Sequence, residues 1–260
     1  MSSARISDRV RQVTVTAAEV FCVVGTLYGV GVLGTRVEES SGGALAADAT
    51  RLAPAGPAFS IWSVIYVGLA AYTLWQWLPR QSTREVHRRI GWLAAASMVL
   101  NASWLLVTQQ GWIWASVGVI AALALVLGVL LRRLTVLGGG VTGDRILIDG
   151  TFGLYLGWVA VATCANVTAA LVADGVEPRA LVSDLIAVAV LVVVACLGFV
   201  FAHQLGGRLA VGAAMAWGLS WIAVARLSSD PESVVTAAAA AVTAVLVLLA
   251  PVLYRARRRG

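Results

Sequence analysis

Lysine is absent from the 260-residue sequence, and all 19 basic residues are arginine. No site chemistry requires that pattern, and we read it as genome composition. Charge of either sign is scarce. Charged residues make up 12% of the chain and hydrophobic ones 60%, whereas soluble domains carry about 25% charge. A water-soluble core is thereby excluded. Cysteine is limited to Cys22, Cys164 and Cys196, each inside an apolar run and none in CxxC spacing. That excludes a disulfide framework and a zinc site, and it leaves the three as small hydrophobes. The only histidines are His87, in a connector, and His203, at the end of a run, and together they make no site. No Walker loop, nucleophile motif or carboxylate pair occurs, so there is no positive case for an enzyme. Proline is missing from the interiors of the apolar runs apart from Pro251.

What is present is a series of apolar runs of about 20 residues, the length a helix needs to cross a bilayer. Mean hydropathy is +0.87. Runs at 13–33, 58–78, 90–108, 112–131, 150–171, 181–202 and 208–227, and an eighth ending near 254, predict an all-α, polytopic membrane helix bundle. The first run exceeds the roughly 7–15 apolar residues of a secretory signal, so it is expected to be a retained helix.

The connectors alternate in charge. Arg5, Arg9 and Arg11 precede helix 1; Arg80, Arg84, Arg88 and Arg89 join helices 2 and 3; Arg132, Arg133 and Arg145 join helices 4 and 5; Arg255, Arg257, Arg258 and Arg259 end the chain. The other three loops hold Glu38, Glu39, Asp48, Asp174, Glu177, Asp230 and Glu232. By the positive-inside rule this predicts a multi-pass protein of the cell membrane (inner or plasma) with both termini cytoplasmic. The net charge of +6 is distributed over connectors and termini, so nucleic acid is not an expected partner.

Three helices interrupt their apolar runs with polar and aromatic residues on one face. In helix 5, Phe152, Tyr155, Trp158, Ala162, Asn166 and Ala169 fall within roughly 120° of arc at about 100° per residue. Helix 3 repeats the pattern with Ser97, Asn101, Trp104 and Thr108, and helix 2 does so more loosely with Phe59, Trp62, Tyr66, Thr73 and Gln76. An unpaired amide in hydrocarbon costs several kcal/mol, so these faces should meet other helices or a cavity. Cavity lining and helix packing both remain open for Trp62, Trp104 and Trp158. Trp75, Trp77, Trp112 and Trp114, near run ends, are expected in interfacial belts. Glu19 is a functional candidate as a membrane carboxylate, unless it reaches the interface or pairs with an arginine. Asp149 is expected to cap helix 5, and Asp184 to sit in the first turn of helix 6. Gly212, Ala216 and Ser220 form a small-residue ridge on helix 7, expected to pack within the protomer, with a homodimer contact as the alternative.

The segments PAGPAFSIWSVIY (54–66), LNASW (100–104) and YLGWVAVATCAN (155–166) resemble the signature segments of the TspO/MBR family, the tryptophan-rich sensory proteins related to the mitochondrial translocator protein. The chain departs from the family pattern at Gly56-Pro57, where a Trp is usual, and at Leu154, where a Pro is usual. The resemblance covers residues 13–172, which it implies are a five-helix membrane core; residues 181–254 would then be a three-helix C-terminal extension. It implies an integral membrane ligand-binding or sensory protein that holds a tetrapyrrole or another planar hydrophobic molecule. The implied pocket is lined by Trp62, Tyr66, Asn101, Trp104, Tyr155, Trp158 and Asn166. Arg36 and Arg51, in the 1–2 loop, are read either as solvated loop charges or as partners for ligand carboxylates at the pocket mouth. No cofactor is required; a porphyrin or haem-type molecule is the expected ligand and the lipid bilayer the expected surrounding. The eight helices leave a second reading open, a secondary transporter of a small amphipathic molecule, although no repeat relates helices 1–4 to 5–8.

Overall fold

The computed structural model describes residues 6–138, 142–176 and 178–258. Arg5, Glu177 and Arg259, used in the charge argument above, lie outside the described residues. Eight helices among the described residues are long and apolar enough to cross a membrane, and no strand occurs among them. They are α1 (Ile6–Gly29), α2 (Ile61–Trp75, entered through a 3-10 turn at Gly56–Ser60), α3 (Glu85–Gln109), α4 (Ile113–Leu137), α5 (Thr151–Ala173, entered through a π turn at Arg145–Gly150), α6 (Ala180–Gln204), α7 (Leu209–Ser228) and α8 (Val234–Arg257).

The helices pack only partly in chain order. Helix α1 lies on α3, α3 on α4, α4 on α5, α5 on α7, α7 on α8, and α8 on α6. Consecutive α5 and α6 barely touch. Small residues set which helices approach closely, because helices in lipid associate through packing rather than through a hydrophobic drive. A Cβ added at Gly157 of α5 would stand 2.3 Å from the Val211 carbonyl oxygen of α7. One added at Gly212 of α7 would stand 2.6 Å from the Val247 carbonyl oxygen of α8. The ridge on α7 therefore packs inside the protomer at Gly212 and Ala216, while Ser220 is exposed.

The loops sort onto two ends. At one end the 1–2 loop meets the last turns of α7 and the start of α6: Ala55 N–H donates to Trp221 O at 3.2 Å, and Arg51 Nε lies 3.1 Å from Asp184 Oδ1. The other end carries the arginine-rich connectors, and it is cross-linked. Asp8 holds Arg11 at 2.9 Å and Arg88 at 2.7 Å, Asp144 holds Arg84 at 2.5 Å, and Asp149 holds Arg208 at 3.0 Å. The alternation of charge thus places loops at alternate ends of an antiparallel bundle.

Several local expectations are corrected. Helix α1 is already helical at Ile6, the first described residue, rather than starting near 13, and Asp8, Arg11 and Gln12 are buried in it. Helix α3 begins at Glu85, so His87 lies within a helix, fully buried, with its ring 5.8 Å from that of Tyr72. Charged and polar residues extend both helices because their partners lie on the facing helix. Asp149 does not cap α5; it sits in the π turn and pairs with Arg208. Trp75 is half-buried over Gly143, 2.9 Å from where a Cβ would be. Trp77, Trp112 and Trp114 are exposed.

Candidate ligand cavity

The polar–aromatic faces of α2, α3 and α5 meet at the end that carries the 1–2 loop. Trp62, Trp104, Trp158 and Asn166 line one cavity of about 40 Å³, roofed by Val37, Leu45, Thr50 and Pro54 of the loop. A second cavity of about 280 Å³ lies between α1, α2 and the loop, lined by Thr26, Arg36, Glu38, Trp62 and Tyr66 among others. Val37, Phe59 and Trp62 line both, so a wall of three side chains separates them. Asn101 and Tyr155 border neither.

Trp62 is the centre of the aromatic cluster. It stacks on Tyr66 with centroids 5.3 Å apart at 14°, and it meets Tyr155 at 5.8 Å and Trp158 at 6.2 Å edge to face. Phe59 packs edge-on against Trp158 at 5.7 Å. These offset and T-shaped geometries suit the ring quadrupoles and stiffen the cavity wall.

The amides that the sequence placed in the cavity also join helices. Trp104 Nε1 donates to Asn166 Oδ1 at 2.8 Å, and Asn166 Nδ2 donates to Ser116 Oγ at 2.9 Å, which ties α3, α4 and α5 together. Asn101 Nδ2 donates to Tyr66 Oη at 3.1 Å and to Cys22 Sγ at 3.4 Å, so it links α3 to α2 and α1. Tyr155 Oη donates to Ser97 O at 3.1 Å. Asn101 and Tyr155 therefore join helices and line neither cavity.

Two buried polar atoms on the small cavity have no partner: Trp158 Nε1, on a residue 1% exposed, and Thr50 Oγ1, on a residue 4% exposed. Of the two arginines proposed for ligand carboxylates, Arg36 lines the larger cavity, whereas Arg51 is engaged by Asp184 and faces away from both. Glu19 is 7% exposed, with Oε2 lacking a hydrogen-bond partner, and it forms no ion pair with an arginine among the described residues. It lies on the inward stripe Asp8, Arg11, Gln12, Val15, Ala18, Glu19, Cys22, Gly25. That same three-to-four spacing was the signal by which Asp8, Arg11 and Gln12 could have been placed inside the bundle.

The family profile described as TSPO-like protein matches residues 12–252, which includes α6, α7 and nearly all of α8. No curated protein and no solved structure matches the chain.

Proposed function

Because the chain belongs to the TSPO-like protein family, we propose that it is a membrane protein that binds a planar hydrophobic molecule, a tetrapyrrole among the candidates, in the tryptophan-lined cavity. The observation that carries this reading is Trp158 Nε1, a buried indole donor without an acceptor on an apolar cavity wall. An unpaired buried donor costs about 1–3 kcal/mol, which a ligand acceptor placed there would recover.

The cavity of about 40 Å³ is small. It has room for water, which needs about 10–15 Å³, but not for a macrocycle, since ligand pockets occupy about 300–1,000 Å³. Rotating Phe59 and Trp62 out of the shared wall would join it to the neighbouring cavity of about 280 Å³, with Arg36 at the joined mouth for a ligand carboxylate. Indole faces would then stack on the ring system.

A porphyrin titrated into the purified protein should quench tryptophan emission saturably. Trp158→Phe keeps an aromatic ring and removes the donor, and it should raise the dissociation constant about five-fold or more, by the 1–3 kcal/mol above. Trp112→Leu, on the surface, should leave it unchanged. Absence of saturable binding by any planar ligand would return the tryptophans to helix packing. Liposome flux of a bound molecule would establish the transporter reading in place of the sensory one.

A further inference from the structure

Because α6 packs on α8 rather than on α5, the loop-side ends of α5 and α6 stand apart. A cleft of about 510 Å³ opens between them, bounded by Leu171 and Val172 of α5, Ile186 of α6, and the 1–2 and 7–8 loops. It is separate from the tryptophan cavity, with only Thr50 lining both.

The wall of this cleft is held in place. Arg51 is fixed by Asp184 Oδ1 at 3.1 Å and by donation from Nη2 to Ala180 O at 3.3 Å. The same Asp184 oxygen accepts from Ser233 Oγ at 2.6 Å and from Thr236 Oγ1 at 3.1 Å. Behind it, the fully buried Arg226 donates to Pro231 O at 2.9 Å and to Ala47 O at 2.5 Å, clamping together the two loops that form the rim. With the wall so braced, Nη1 of Arg51 and Oγ1 of Thr50 have no hydrogen-bond partner, and Nε of Arg51 makes only its ion-pair contact to Asp184. The rim carries the opposite charge, since Asp48 and Asp230 line the cleft and are both exposed.

Donors deep, carboxylates at the rim and an apolar groove along two helices form the complement of one kind of molecule. We propose that this cleft binds a zwitterionic phospholipid with an ethanolamine head. The phosphate oxygens accept from Arg51 Nη1 and Thr50 Oγ1, the ammonium lies between Asp48 and Asp230, and an acyl chain follows Leu171, Val172 and Ile186. A charge-assisted bond from a guanidinium to phosphate is among the stronger hydrogen bonds available to a protein. A lipid with only an anionic head would bring its charge to the two rim carboxylates with no ammonium to place between them. A neutral lipid would leave the buried guanidinium donor unpaired.

The test uses the full chain, stripped of lipid and reconstituted in phosphatidylcholine nanodiscs doped with either phosphatidylethanolamine or phosphatidylglycerol. Retained lipid is then counted by native mass spectrometry. The wild type should retain phosphatidylethanolamine preferentially. Asp48→Asn with Asp230→Asn, two exposed changes that leave the Arg51–Asp184 contacts intact, should reduce that preference about two- to tenfold, the scale of two exposed ion pairs. Ile186→Trp, which fills the groove, should lower retention of every lipid. Equal retention of the two lipids by the wild type, an undiminished preference in the double variant, or equal competition by soluble glycerophosphoethanolamine would each overturn the proposal. None of these outcomes depends on porphyrin binding.

Discussion

Removing the side-chain amide of Asn166 tests whether the bond between Trp104 and Asn166 holds the cavity wall or only accompanies it. The residues concerned are buried: Trp104 is 4% exposed, Asn166 1% and Ser116 0%. In Asn166→Ala the Trp104 indole loses its acceptor. Ser116 does not become an orphan, because its hydroxyl already donates to Ile113 O at 2.6 Å. Only one buried donor is therefore stranded, at about 1–3 kcal/mol by the general scale. Hydrogen bonds between membrane helices measure lower, averaging about 0.6 kcal/mol and reaching about 1.7. The adjoining cavity of about 40 Å³ would be enlarged by the deletion and would admit water to the indole, which favours the lower figure. We expect a coupling of about 1 kcal/mol between Trp104→Phe and Asn166→Ala, read from a double-mutant cycle of unfolding in mixed micelles. Additivity to within about 0.3 kcal/mol would refute the bond as a determinant of the wall. Trp104→Phe should also leave porphyrin affinity within about twofold while Trp104→Leu weakens it further, because stacking on the ring is worth roughly 0.5–1.5 kcal/mol beyond its area.

Gly157→Ala places a methyl 2.3 Å from the Val211 backbone oxygen, which no side-chain rotation relieves. It should lower stability by about 1–3 kcal/mol, whereas Gly118→Ala, which meets nothing within 4 Å, should be neutral or stabilising by up to about 1 kcal/mol. In a background without the native cysteines, Asp48→Cys should react with an impermeant thiol reagent on intact cells and Arg80→Cys only after permeabilisation. Reaction of Arg80→Cys from outside would reverse the orientation inferred from charge.

Lipid-length apolar runs and the alternation of arginine and acid were enough to read eight helices and their antiparallel order from sequence, because hydrocarbon permits only backbone that satisfies its own hydrogen bonds. The faces of α2, α3 and α5 were equally legible, since polar groups in such runs must turn inward and their spacing fixes the direction. Helix ends were read poorly at α1 and α3. Asp8, Arg11 and His87 look like loop residues until Arg88 and Tyr72, on neighbouring helices, supply their partners.

Which inward residues line a cavity and which join helices was decided by tertiary structure alone. Asn101, Asn166 and Tyr155 share a face with tryptophans, but Asn101 and Tyr155 are taken up by hydrogen-bond partners on other helices and line no cavity there, while Asn166 both joins helices and borders the cavity. A helical period gives direction and depth. It says nothing of what stands opposite. The placement of α6 away from α5 was likewise invisible along the chain: it follows from the close approach at Gly157, which gives α5 to α7 and leaves α6 to pack on α8.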